Sequence, residues 1–101
     1  MTAACIEIVT FRLRDETSIA DFLRAASDLR VFLEAAPGFL RRRLSRADDG
    51  SWIDHVEWAS RQAAEDAAVA IGRAPEAHAF IAAIDGASVI LRHARLEVAL
   101  G

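Results

Sequence analysis

Apolar positions along the chain recur at two different periods, and the switch between them marks out its elements. From Cys5 to Leu13 the residues Ile6, Ile8, Val9, Thr10 and Phe11 form a β-branched and aromatic run that predicts a first strand. The polar group Arg14-Asp15-Glu16-Thr17 ends it. Ile19, Phe22, Leu23, Ala26, Leu29 and Leu33 then follow i, i+3, i+4 spacing, which places one apolar stripe along a helix. Ser18 stands where an N-cap hydroxyl accepts a bond from the unpaired first turn, with Asp21 three residues on. Pro37-Gly38 stops this helix, since proline cannot continue the hydrogen-bond ladder and glycine tolerates a left-handed turn. Phe39 to Arg46 reads as a second strand, polar over much of its length, and Asp48-Asp49-Gly50 is a hairpin turn signal leading into a third strand from Trp52 to Ala59. Ser60 predicts the cap of a second helix through Gln62, Ala64, Ala68 and Ile71. Gly72-Arg73-Ala74-Pro75 interrupts that helix, and Ala77, Phe80, Ile81 and Ile84 resume its stripe. Asp85-Gly86 closes it, and Val89 to Val98 predicts a long last strand.

The order βαββαβ implies an α+β fold, a two-layer sandwich with four strands and the helices on one face, formed by a single domain over residues 1–101. If the helices cover Val9, Phe11, Val56 and Trp58, the opposite face carries Ile6, Ile8, Thr10 and Ile53. An apolar face of that kind marks an interface, and a twofold homodimer, sheet against sheet, would cover it.

Composition narrows the function classes. Hydrophobic residues make up 53% of the chain, enough for one core. No apolar run reaches the roughly 20 residues of a membrane span, and the start meets Glu7 without a basic stretch, so neither a membrane segment nor a secretory leader is expected. Cys5 is the only cysteine, which excludes an intrachain disulfide or a cysteine zinc site and makes the cytoplasm the expected compartment. The net charge is -3 and all 12 basic residues are arginine, which argues against a broad nucleic-acid surface. Arg41-Arg42-Arg43 lies on a strand, where neighbours alternate faces, so it reads as a solvated or salt-bridged strand. RNA-recognition domains share this element order, but the third strand, Trp52-Ile53-Asp54-His55-Val56-Glu57-Trp58, lacks their basic-glycine-aromatic run.

The segment Asp54-His55-Val56-Glu57-Trp58-Ala59-Ser60 with Ala63 and Ala64, together with Phe11-Arg12-Leu13, Pro37-Gly38-Phe39 and Pro75-Glu76-Ala77-His78-Ala79-Phe80, resembles the antibiotic-biosynthesis-monooxygenase family over nearly the whole chain. The resemblance implies a ferredoxin-like dimeric α+β barrel whose cleft between helices and sheet binds a small aromatic or quinol-like compound, oxidised without a cofactor; a non-catalytic ligand-binding or interaction domain on the same fold is the alternative. Asp54 and Trp58, four apart on a strand, share one face. The family places a polar residue, typically asparagine, four before a tryptophan here. An ionised Asp54 cannot donate a hydrogen bond as an amide would, which leaves it as a base or as a residue at the rim. The candidate catalytic residues are therefore Asp54 and His78, and the candidate ligand-binding residues are Phe11, Trp58 and Phe80. His78, at the edge of the apolar stripe, is either a pocket-mouth base or a surface residue. His55 shares a face with Ile53 and Glu57 and reads as part of a dimer-interface network; nothing local distinguishes a role for His93. No histidine pair has metal-ligand spacing, and no phosphate loop or serine elbow occurs, so neither a metal nor a cofactor is expected. The family's haem-binding branch is a poor match, since alanines and acids surround Ala67 where a tryptophan and an axial histidine would stand.

Overall fold

The computed structural model describes residues 3–101, so the first two positions of the expected domain lie outside it. Four strands, β1 (Cys5–Phe11), β2 (Phe39–Arg46), β3 (Trp52–Trp58) and β4 (Ile90–Arg95), form one antiparallel sheet in the order β2-β3-β1-β4. Helices α1 (Ile19–Ala35), α2 (Arg61–Ala70) and the short α3 (His78–Ala83) complete a ferredoxin-like α+β fold.

The helix signals operate as the sequence suggests. The Ser18 hydroxyl accepts from the Asp21 N–H and the Ser60 hydroxyl from the Ala63 N–H, each satisfying one of the four orphan donors at a helix start. Helix α1 ends at Ala35 with Ala36 as its cap, and Gly38 turns the chain into β2, where only glycine fits for two reasons. Its φ of +84° is strained for any residue with a side chain, and a Cβ there would stand 2.6 Å from that of Ala63.

Boundaries differ from the sequence reading where tertiary contacts decide. Strand β1 stops at Phe11, and Leu13 forms only an isolated bridge to Ile84. The stripe of α1 is narrower than expected: Phe22, Ala25, Ala26, Leu29 and Leu33 are buried, while Ile19 and Leu23 stay largely exposed. Beyond Ala70 the chain makes two 3-10 turns, Ile71–Arg73 and Pro75–Ala77, before α3; Pro75 heads the second, where its fixed φ suits a helical start. β4 ends at Arg95, three residues before Val98.

The sheet has two unlike faces. Toward the helices, Phe11, Trp52, Val56 and Trp58 join Phe22, Leu29, Leu33 and Phe80 in one core. Phe22 anchors it, stacked on Phe80 at 5.2 Å and edge-on to Phe11 and Trp52. On the other face the pairing sets Ile53, Thr10 and Ile90 in one row and His55, Ile8 and Arg92 in the next. Ile6 on this face is already buried within the chain, so the apolar patch is smaller than the sequence implies; Ile8, Thr10 and Ile53 are half-buried.

Candidate functional site

Strand register decides which side chains meet over the helix-facing side. Leu44, Asp54, Val9 and Leu91 lie in one row across the four strands, and Arg42, Val56, Glu7 and His93 lie in the next. Above them, the helices leave a cavity of about 340 Å³. Its walls are Phe11, Trp58, Val56 and Leu91 from the sheet, Leu29, Phe32 and Leu33 from α1, Ala67 and Ala68 from α2, and Phe80 and Ile81 from α3. Only two charged residues, Glu7 and Asp54, line it. A mostly apolar cleft with a few fixed polar groups, at the small end of the ligand-pocket range, suits a compact aromatic molecule.

Asp54 is buried, not at the rim. Its two carboxylate oxygens accept from Arg42, Oδ1 from Nε at 2.8 Å and Oδ2 from Nη2 at 2.7 Å. The same guanidinium donates through Nη1 to the Ala26 carbonyl at 3.1 Å and lies over the Phe80 ring, 5.1 Å from its centre. Asp54 is thus clamped to α1 and α3 through one arginine.

Trp58 is 2% exposed, edge-on to Phe39 at 5.8 Å, and its indole Nε1–H has no acceptor in the protein. A buried donor without a partner costs about 1–3 kcal/mol, so an oxygen supplied by a ligand would be stabilising there.

Glu7 and His93 make a second polar pair, Nε2 to Oε2 at 3.1 Å, with both side chains nearly buried. His93 also borders a shallow groove with Cys5, Arg61 and Arg95. Burial pushes the Cys5 thiol up, and Arg61 nearby opposes that shift.

The structure therefore brings Phe11, Asp54, Trp58 and Phe80 together on one cavity. It places His78 elsewhere: His78 is exposed at the start of α3, outside the lining, while its neighbours Ala77 and Phe80 turn inward. His55 lies on the opposite face of the sheet, its Nδ1 buried without a partner. Among the described residues no three His, Cys, Asp or Glu side chains gather as a metal site requires.

From sequence alone Arg42 reads only as part of a solvated or salt-bridged strand, which its pair with Asp54 bears out, and Glu7 takes no role. The signal for Arg42 was the hairpin itself, because pairing Arg46 with Trp52 puts Arg42 and Asp54 on the same face. Glu7 shares the parity of Val9 and Phe11, an acid at a position where the core asks for an apolar residue. His93 had no such signal, since its partner is 86 residues away.

The sequence profile of the antibiotic biosynthesis monooxygenase family matches residues 5–83. No curated protein matches the chain in sequence. Among solved structures, SnoaB, a cofactor-independent oxygenase from Streptomyces nogalater, is similar at a TM-score of 0.69 and 20% identity, covering 99% of this chain and 97% of its own. The ActVA-Orf6 monooxygenase of Streptomyces coelicolor, in complex with Nanaomycin D, is similar at 0.68 and 17% identity, covering 97% and 91%. A dimeric ferredoxin-like protein of unknown function from Jannaschia sp. is similar at 0.66 and 14% identity, covering 94% and 99%.

Proposed function

Because this chain belongs to the antibiotic biosynthesis monooxygenase family, we propose that its helix–sheet cleft binds a small planar aromatic compound of the quinol type and oxidises it with dioxygen, without a cofactor. The observation that carries the reading is an apolar cavity walled by Trp58, whose buried indole N–H lacks an acceptor. A quinol oxygen supplies that acceptor while Phe11 and Phe80 flank the ring. The reduced ring is itself the electron donor, so the protein has only to bind it, exclude water and help remove a proton. Of the two candidate bases, Asp54 lines the cavity, and Arg42 occupies one site on each of its oxygens. A carboxylate has about four acceptor sites, so Asp54 can still accept a hydrogen bond from a ligand hydroxyl and orient it, while Arg42 balances its charge. An exposed His78 would serve only a ligand that projects from the mouth of the cleft; His78→Gln should leave turnover within about twofold of wild type, as expected of a surface position.

Oxygen uptake with 1,4-dihydroxynaphthalene, measured above its spontaneous oxidation, tests the proposal. Uptake that falls about tenfold or more in Trp58→Phe, which removes the donor and keeps a ring, supports it. No uptake and no binding would remove it. The pairing of Asp54 with Arg42 favours a second reading, a non-catalytic binding domain, and binding without uptake would select that one.

We further propose a homodimer, with the open sheet face as its interface and the cytoplasm as its compartment. Half-buried Ile8 and Ile53 and the unpartnered His55 Nδ1 support the dimer, as does the dimeric state of the Jannaschia protein. Light scattering at micromolar concentration would reveal it. Ile53→Arg should weaken it by placing an unpaired charge in the contact.

A further inference from the structure

Two carboxylates line the cleft, and they differ in what stands behind them. Asp54 backs onto an arginine, whose guanidinium keeps its charge and does not give up a proton at neutral pH. Glu7 backs onto a histidine, which can carry one more proton or one fewer. The two faces of this second pair also open differently. Glu7 lines the cavity, whereas His93 borders the shallow groove beside Arg61 and Arg95. The pair thus spans the thin wall between the cleft and the outside, along the row β1–β4 where Glu7 is the register partner of His93.

We infer that Glu7 and His93 form a proton path out of the cleft: Glu7 takes the proton of an acidic aromatic hydroxyl, and His93 passes it to water in the groove. The inference rests on the proposed ligand class but not on the oxidation. The step balances as a proton transfer alone. The ligand O–H bond breaks, and its electron pair stays on the ligand oxygen. The proton joins the Glu7–His93 pair and stays there while the ligand anion occupies the cleft; it leaves from His93 to water in the groove when the anion is released or consumed. Taking up the proton removes the negative charge of the pair at the moment the ligand becomes an anion, so two like charges never face each other in an apolar cavity. Asp54 cannot offer this, because its charge is already balanced by Arg42.

The charged and titratable groups around the pair are few. Cys5 lies on β1, Arg95 on β4, and Arg61 and Glu65 on α2, the last two paired with each other at 3.6 Å. Arg42 stands in the same row across Val56, and Asp54 lies diagonally from Glu7 on β3. The residues that α1 and α3 turn toward the cavity are all apolar.

The probe is 4-nitro-1-naphthol, whose phenolate and neutral phenol absorb at different wavelengths, with naphthalene as a ligand that has no proton to lose. At a pH where the free probe is mainly neutral, the wild-type protein should hold it as the phenolate. Glu7→Gln should hold the bound probe as the neutral phenol, since a neutral amide of the same shape cannot take the proton, and naphthalene binding reports whether the cleft of that variant still takes an aromatic ring. His93→Gln, a second variant in case Glu7→Gln is unstable, should lower the bound phenolate fraction while leaving naphthalene binding unchanged. A bound phenolate spectrum that survives both substitutions would overturn the path, as would its loss in Asp54→Asn alone. A change in melting temperature without a change in that spectrum would reduce the pair to a structural role and overturn it too. If wild type binds neither naphthalene nor the probe, the proposed ligand class fails and takes the path with it. If naphthalene binds and the phenolate is indifferent to Glu7, the path alone fails.

Discussion

Two arginine–aspartate pairs in this molecule have the same chemistry and opposite surroundings. Arg42–Asp54 lies under the cleft with two bonds of 2.7 and 2.8 Å, its side chains only 12% and 9% exposed. Arg12–Asp49 closes the end of the β2–β3 hairpin with one 3.3 Å bond to the carboxylate and one 3.1 Å bond to the Asp49 carbonyl, its side chains 54% and 63% exposed. In the first pair each charge has left water and depends on the other. In the second, water can replace either partner at little cost. What an ion pair does for a fold is therefore set by burial more than by residue type. In this chain the buried pair organises the ligand cleft, tying β2 and β3 to α1 through Ala26 and to α3 through Phe80.

The sharpest way to break that contrast is to remove one buried partner. Arg42→Met keeps much of the stem but leaves the Asp54 carboxylate buried and unpaired, which should cost about 3–5 kcal/mol of stability in a denaturant titration. Adding Asp54→Leu should restore most of the loss, because a well-packed apolar pair of similar volume is often neutral relative to the ion pair. If the single variant were as stable as wild type, the burial argument would be wrong.

The exposed pair should respond far less. Arg12→Met should cost under about 1 kcal/mol, and high salt should shrink even that. A loss comparable with that of Arg42→Met would erase the distinction between the two sites.

The smallest effect expected is a pH dependence at the hairpin. The Ser51 hydroxyl and backbone N–H hold the Asp49 carboxyl below its ordinary value of 3.8, with a lesser contribution from Arg12. A folded-state value below the unfolded one means that this contribution is present above about pH 4 and is lost as pH falls through the lower folded value. A carboxyl NMR titration of Asp49 should therefore show a midpoint below 3.8, and Ser51→Ala should raise it. An unmoved midpoint in that variant would remove the hydroxyl as its cause.

Much of the fold was legible because local signals agreed with one another. Ser18, Pro37-Gly38, Asp48-Asp49-Gly50 and Ser60 mark turns and caps that form where they stand in the sequence. Ile19 and Leu23 mislead because periodicity finds a helix face but cannot say how wide a strip of it the sheet will cover. The cleft was half legible. Alternation on β3 sets Asp54 beside Trp58, and alternation on β1 gives Phe11 the same side. The same alternation gives Glu7 that side too, Arg42 required strand register, and His93 required knowing that β4 lies beside β1, which no local pattern encodes. His78 reads as a boundary residue from spacing alone; it follows the 3-10 turn Pro75–Ala77 and is exposed.

The central claim, that a flat aromatic ligand enters the cavity beside Trp58, can be tested within one spectrum. The chain has two tryptophans, and only Trp58 lines the cavity. Titration with 1,4-naphthoquinone, which is already oxidised and so cannot be turned over by the proposed oxidation, should move the indole N–H resonance of Trp58 saturably as its unpartnered proton gains an acceptor, while that of Trp52 moves much less. Equal shifts at both indoles, no shift at either, or shifts confined to Ile53 and His55 on the open face would contradict the account.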